Sequence, residues 1–214
     1  MSPEKPDNYF AQFSLPRHLN IDTAALEKAF YAQSRKLHPD RFASRPQPEQ
    51  EAALAASSQL NDAYRTLRDP IARTEYLLAL EGIQLEEQSR AATDAARAAG
   101  TEKKQVAPAD LLEEAFELNM QLEEMRMAKQ MGEVPSEAEG SGSPRADLEA
   151  ARTKFTAMLN DSQQQLESLW SSWDAAEDAN DPGARDAAKQ SMVALLNRRS
   201  YIRNLVRDVN AALE

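Results

Sequence analysis

The sequence predicts an all-α protein, and three observations carry that prediction. β-Branched strand formers are scarce, with five Val and four Ile in 214 residues, too few for a sheet. The six Gly and eleven Pro fall almost entirely between segments whose apolar residues recur at helical spacing. Hydrophobic residues make up 42% of the chain, enough to give each of those segments one buried stripe.

The elements follow in order. A short first segment holds Tyr9, Phe10 and Phe13 and ends at Pro16. Asp22 is a good N-cap for a second helix, whose stripe is Leu26, Ala29, Phe30 and Leu37 with Gln33 among them, and Pro39 stops it. A third helix runs from about Pro48 to Leu67, with Leu60, Ala63, Tyr64 and Leu67 at i, i+3, i+4 and i+7. Asp69-Pro70 reads as N-cap and first residue of a fourth, short helix, which carries Ile71, Leu77 and Leu78 and closes at Gly82. Residues 84–107 are rich in Ala, Glu, Arg and Thr and lack aromatics, which marks a linker.

Pro108 and Asp110 begin a long helix whose apolar residues, Leu111, Ala115, Leu118, Leu122 and Met125, step by four and three. Residues 133–143 carry Gly, Ser, Glu and Pro and read as a flexible loop. Ser143-Pro144 opens the next helix, striped by Leu148, Ala151, Phe155, Met158, Ser162, Leu166, Leu169 and Trp173. Asp181-Pro182 opens the last, striped by Ala188, Met192, Leu195, Ile202, Val206, Val209 and Leu213. Three long amphipathic helices with short or flexible connections predict an antiparallel three-helix bundle.

Composition excludes several function classes. The net charge of −10 argues against a nucleic-acid surface. With no Cys, the chain has no disulfide, thiolate metal site, cysteine nucleophile or cluster-ligating thiolate of its own. The only two histidines, His18 and His38, are far apart, so no metal site or resident cofactor is expected. Neither a signal sequence nor a run of roughly 20 apolar residues appears, so no membrane partner is expected and the cytoplasm is the expected compartment. No Gly-rich phosphate loop or Ser/His/Asp set is present. Trp170, Trp173, Met125, Met127 and Met131 read as packing residues, and His18 as a loop residue.

The chemistry concentrates at His38-Pro39-Asp40. Pro39 biases His38 out of the helical region and removes a backbone donor, so His38 and Asp40 are presented rigidly between two helices. Arg35 and Lys36 lie in the last turn before it, and Arg41 follows. A locally basic tip on an acidic protein points to a negatively charged partner surface. Two other readings stay open at this point: general acid–base catalysis by His38 and Asp40, and a purely structural helix breaker.

Placed after the second of four helices, the tripeptide resembles that of a J-domain, the module that stimulates ATP hydrolysis by seventy-kilodalton heat-shock chaperones. The whole chain resembles the HscB family of J-proteins in iron–sulfur cluster biogenesis. The residues behind this are Asn8-Tyr9-Phe10, Phe13, Leu15-Pro16 and Leu37-His38-Pro39-Asp40-Arg41-Phe42-Ala43-Ser44. Ala63-Tyr64-Arg65-Thr66-Leu67-Arg68-Asp69-Pro70 and Arg73-Thr74-Glu75-Tyr76-Leu77-Leu78 complete the set. The resemblance implies a J-domain over residues 7–82, a linker over 83–107 and, over 108–214, a three-helix bundle that binds the iron–sulfur scaffold protein. It implies no enzyme but an activator of a partner ATPase, a specialised member of the heat-shock chaperones, with His38, Pro39, Asp40, Arg35, Lys36 and Arg41 contacting that partner. General J-domains carry further basic residues where this chain has Glu27, Phe30, Tyr31 and Ala32, a thin basic footprint that fits a specialised partner.

The first bundle helix carries a second apolar stripe. At about 100° per residue from Leu111, the residues Leu112, Phe116 and Met120 fall near 100°, 140° and 180°, outside the first stripe. Glu113, Glu117 and Glu124 flank it, and apolar anchors bordered by charge read as a partner surface. By resemblance, scaffold contacts fall at Leu112, Phe116, Glu117, Met120 and Glu124, with Tyr201 on the last helix. The family often has an acidic residue where Met120 stands and Met where Glu113 stands. Packing of Phe116 and Met120 against the J-domain or the third helix is the alternative, as is a J-domain adaptor holding a different client.

Overall fold

The computed structural model of this chain describes residues 8–83, 85, 108–130 and 143–214. Of the expected linker only Ile83 and Leu85 fall among them, and of the loop 133–143 only Ser143; Met131 and the first seven residues lie outside the described residues. Among the described residues there are seven α-helices and no strand. By its contacts the chain forms two compact units, Met1–Gln84 with Glu167–Met192, and Leu85–Leu166 with Val193–Glu214.

The first unit begins with α1 (Tyr9–Gln12), capped by Asn8, whose side-chain oxygen accepts the Ala11 N–H at 2.9 Å. Asp22 caps α2 (Thr23–Leu37) by accepting from Ala24 and Ala25 N–H. The helix stops there because Pro39 disfavours the helical region at His38, which has φ −60° and ψ 128°. A 3-10 turn (Pro39–Phe42) follows, then α3 (Gln47–Arg68) and α4 (Pro70–Leu80). Asp69 both ends α3 and caps α4, accepting the Ala72 N–H at 2.8 Å. Phe30 of α2 stacks on Tyr64 of α3, with ring centroids 4.2 Å apart. Gln33, the polar residue in the α2 stripe, accepts from Gln12 Nε2 at 3.0 Å and donates its own Nε2 to the Gln12 backbone oxygen at 2.9 Å.

Three helices end alike: α1, α4 and α6 (Pro144–Asp178). Each is followed by a residue in the left-handed region, Ser14 at φ 54°, Gly82 at 79° and Asn180 at 49°. The next N–H then reaches back to satisfy an orphan carbonyl, Leu15 to Phe10, Ile83 to Leu78 and Asp181 to Ala176, each at 2.9 Å. A Cβ at Gly82 would meet no atom within 4 Å, so Gly82→Ala carries only the conformational cost. We expect about 1–2 kcal/mol of lost stability, read as a lower denaturant midpoint at unchanged slope.

The Arg73–Leu78 stretch is built into a core. Thr74 Oγ1 donates to Pro70 O and accepts from Trp170 Nε1 at 3.1 Å. The Arg73 guanidinium lies 4.5 Å over the Trp170 ring, and its Nη1 donates to Leu67 O at 2.6 Å. Burial pushes that guanidinium below its ordinary range, while Asp69, Glu167 and Asp174 favour its charge. Tyr76 stacks on Tyr9 at 4.4 Å, and its hydroxyl accepts the Tyr9 N–H. Trp173, fully buried, donates to Arg17 O at 2.9 Å. The Asp174 carboxylate accepts from Leu19 and Asn20 N–H at 2.7 and 2.9 Å, and His18 Nε2 meets Asp178 Oδ1 at 2.9 Å. The two tryptophans are packing residues, as their sequence suggests, and the tip of the last two helices belongs to the same core as α1–α4.

The second unit packs α5 (Leu112–Gln130), preceded by a 3-10 turn (Ala109–Leu111), with α6 up to Leu166 and α7 (Pro182–Leu213) from Val193 onward. Ser143 caps α6 through the Ala146 N–H. Leu111, Ala115, Leu118 and Met125 meet Leu148 and Phe155 of α6 and Ile202, Leu205 and Val209 of α7 in one cluster. The buried Ser162 is satisfied within the stripe: its Oγ donates to Met158 O and accepts from Arg198 Nη1. Arg198 also bonds Asp110 at 2.8 Å. On α7 the buried positions are Leu196 and Leu205 rather than Leu195 and Val206, which are half-buried.

Candidate functional site

Two surfaces stand out. The first is the turn between α2 and α3. His38 and Asp40 side chains are 55% and 88% exposed. The turn braces itself: His38 Nδ1 accepts the Asp40 N–H at 3.3 Å, and the Asp40 carboxylate lies 3.4 Å from the same nitrogen. An accepting Nδ1 puts the proton of the neutral ring on Nε2, which is then the donor offered to a partner. Arg41 Nη1 donates to Arg35 O at 3.3 Å, tying a cation to the negative end of α2. From α3, Gln50 donates to Ala43 O and to Arg45 O, fixing the loop. Arg35, Lys36 and Arg41 are all exposed, and Arg45 adds a fourth cation that the tripeptide-centred reading of the sequence leaves out.

A hydrolytic His–Asp pair needs a nucleophile or an oriented water in reach of the ring. Here both contacts of the His38 ring come from Asp40 of its own turn. Among the described residues, no group of three or more His, Cys, Asp or Glu is placed to hold a metal ion. Nor, among them, is any helix long and apolar enough to cross a membrane.

The second surface is the outer face of α5. Leu112, Phe116 and Met120 are 56%, 66% and 60% exposed. Glu117 and Glu124 are exposed beside them. Glu117 also lines a cleft of about 210 Å³ floored by Leu118, Ala151 and Phe155, where Lys154 pairs with Glu114 at 3.6 Å. Tyr201 is placed otherwise: it packs half-buried against the core cluster from α7, and burial raises its phenol above the ordinary range. The three methionines that sequence groups as packing residues separate. Met125 is buried, Met127 is 56% exposed, and Met131 lies outside the described residues. Met127 belongs to the outer face, and the helical angle is the signal that finds it: near 160° on the scale that puts Phe116 near 140° and Met120 near 180°.

Comparison with known proteins agrees with this geometry. Residues 8–76, from the cap of α1 to Tyr76, match the family model of the DnaJ domain. Among solved structures, the chaperone HscB from Vibrio cholerae is 26% identical, with a TM-score of 0.57 over 95% of this chain and 96% of that one. The human co-chaperone protein HscB is 23% identical and shares the fold, with a TM-score of 0.60 over 99% of this chain and 84% of that one.

Proposed function

We propose that this chain, which belongs to the HscB-type J-domain co-chaperones, stimulates the ATPase of a specialised seventy-kilodalton heat-shock chaperone and delivers an iron–sulfur scaffold protein to it. The observation that carries this reading is the exposed, self-braced His38-Pro39-Asp40 turn with cations at its base. A rigid turn loses little entropy on docking, and its charge suits an acidic surface on the chaperone. Pro39 and Asp40 set the turn, His38 offers Nε2–H, and Arg35, Lys36 and Arg41 steer the encounter.

The scaffold is held elsewhere, at Leu112, Phe116, Glu117, Met120 and Glu124, with Tyr201 as a further contact. Support for this half is an exposed apolar ridge edged by carboxylates, the anatomy of a docking patch. Bringing both partners onto one chain raises their effective concentration for each other. Hydrolysis of ATP by the chaperone then traps the scaffold. J-domain co-chaperones are regulators rather than enzymes, and in this scheme neither ATP nor the cluster binds this chain.

The test is the steady-state ATPase rate of the same organism's seventy-kilodalton heat-shock chaperones, with this protein added in the presence and absence of the scaffold. We expect stimulation by the protein alone and a further, more than additive rise with scaffold. Stimulation without any scaffold effect would point to a different client. No stimulation of any such chaperone would overturn the proposal.

A further inference from the structure

We infer that the scaffold-docking surface continues past Met120 to Met127, so that the partner covers about four turns of α5. This inference rests on the scaffold reading proposed above and extends it. Leu112, Phe116, Met120 and Met127 are the large apolar residues of α5 that are more than half exposed. All four fall within roughly 80° of one another around the helix. They form one ridge, with Met127 between Phe116 and Met120 in angle. Ending at Met120, the ridge is about 12 Å long; ending at Met127 it is about 22 Å. A stable interface needs roughly 800 Å² from each partner, which the longer ridge serves far better.

The charges specify the occupant. Glu113, Glu117 and Glu124 line one edge of the ridge and are exposed. Glu123 lies on the ridge between Met120 and Met127 and is paired with Arg126. The complementary surface is an apolar strip bordered by Lys or Arg along the flank facing those carboxylates. It must also accept the Glu123–Arg126 pair at its middle. Methionine suits the far end of such a contact, because its unbranched thioether adapts to an irregular partner. We commit to the scaffold protein as that occupant, with apolar anchors seated on Phe116 and Met127 and basic residues along the acidic edge.

The experiment is titration of the full-length protein with the same organism's cluster-free scaffold protein, followed by calorimetry. Four variants are compared with the unaltered chain: Phe116→Ala, Met127→Ala, Met127→Lys and Met127→Leu. Leu54→Ala, an exposed apolar residue of α3, is the control. We expect Met127→Ala to weaken binding about fivefold and Met127→Lys more than tenfold. Met127→Leu should restore near-normal affinity, and Leu54→Ala should change nothing. If Phe116→Ala weakens binding while the Met127 variants do not, the extension is wrong and the scaffold reading survives. If neither position matters, the α5 face is not the scaffold site and both fall together. Met127 is exposed, so its variants are expected to fold normally, and an unchanged circular dichroism melt checks this.

Discussion

Replacing His38 with Gln should return the chaperone's ATPase to its unstimulated rate while leaving scaffold affinity unchanged. The argument is geometric. His38 Nδ1 holds the Asp40 N–H at 3.3 Å, so the imidazole presents its other nitrogen from a ring held at Nδ1. A Gln side chain has an extra torsion and a mobile amide, and it loses the ring that Nδ1 anchors. The fold should not notice, because the side chain is 55% exposed and the one long capping bond is worth about 1 kcal/mol or less. The measurement is a pair: stimulated ATPase rate, and scaffold titration. Loss of both with the fold retained would sink the two-site scheme. Retention of full stimulation would mean that the tripeptide is only a helix breaker.

The parts legible in the sequence are those whose physics is local. Asp22, Asp69 and Asp181 announce helix starts because a short carboxylate beside a first turn has one best use, and each caps as expected. Gly82 announces an ending for the same reason. Ser14 performs the identical ending and gives no such sign, since a serine in the left-handed region is an exception that only tertiary structure enforces. The three buried stripes follow helical arithmetic apart from Trp170, Leu196 and Leu205, which are buried where their neighbours Leu169, Leu195 and Val206 are half-buried.

The candidate site divides along the same line. Pro39 makes the turn at His38 visible, but the bond from Gln50 that fixes the loop is not. Arg73-Thr74 is conspicuous in the sequence only through resemblance. Its work is a contact with Trp170 across 96 positions, and no local pattern encodes that distance. Leu112, Phe116 and Met120 are legible because a helix has one core face to spend them on. Met127 yields to the same arithmetic once the ridge is followed to its end.

The second large effect is on stability. Trp173→Ala should cost about 3–5 kcal/mol, the range for truncating a buried tryptophan. Trp173 is the largest of the fully buried side chains, and its indole N–H bonds Arg17 O at 2.9 Å. For a chain of this length, that corresponds to a fall in Tm of roughly 10 °C. Trp173→Phe keeps most of the apolar area and loses the hydrogen bond, so its cost should be about 1–2 kcal/mol. Calorimetric melts separate the two. Hydrogen exchange adds the location: amides of α1 and of residues 17–20 should lose protection, because Leu19 and Asn20 are bonded to Asp174 next to the deleted ring. A cost below about 0.5 kcal/mol, the range of ordinary surface substitutions, would show that residues 167–192 are no part of the core of α1–α4. The functional consequence distinguishes this variant from His38→Gln. Trp173→Ala lowers ATPase stimulation through the fraction of unfolded protein, so cooling should restore it. The His38 variant removes a contact from a folded domain, and no change of temperature should bring its stimulation back.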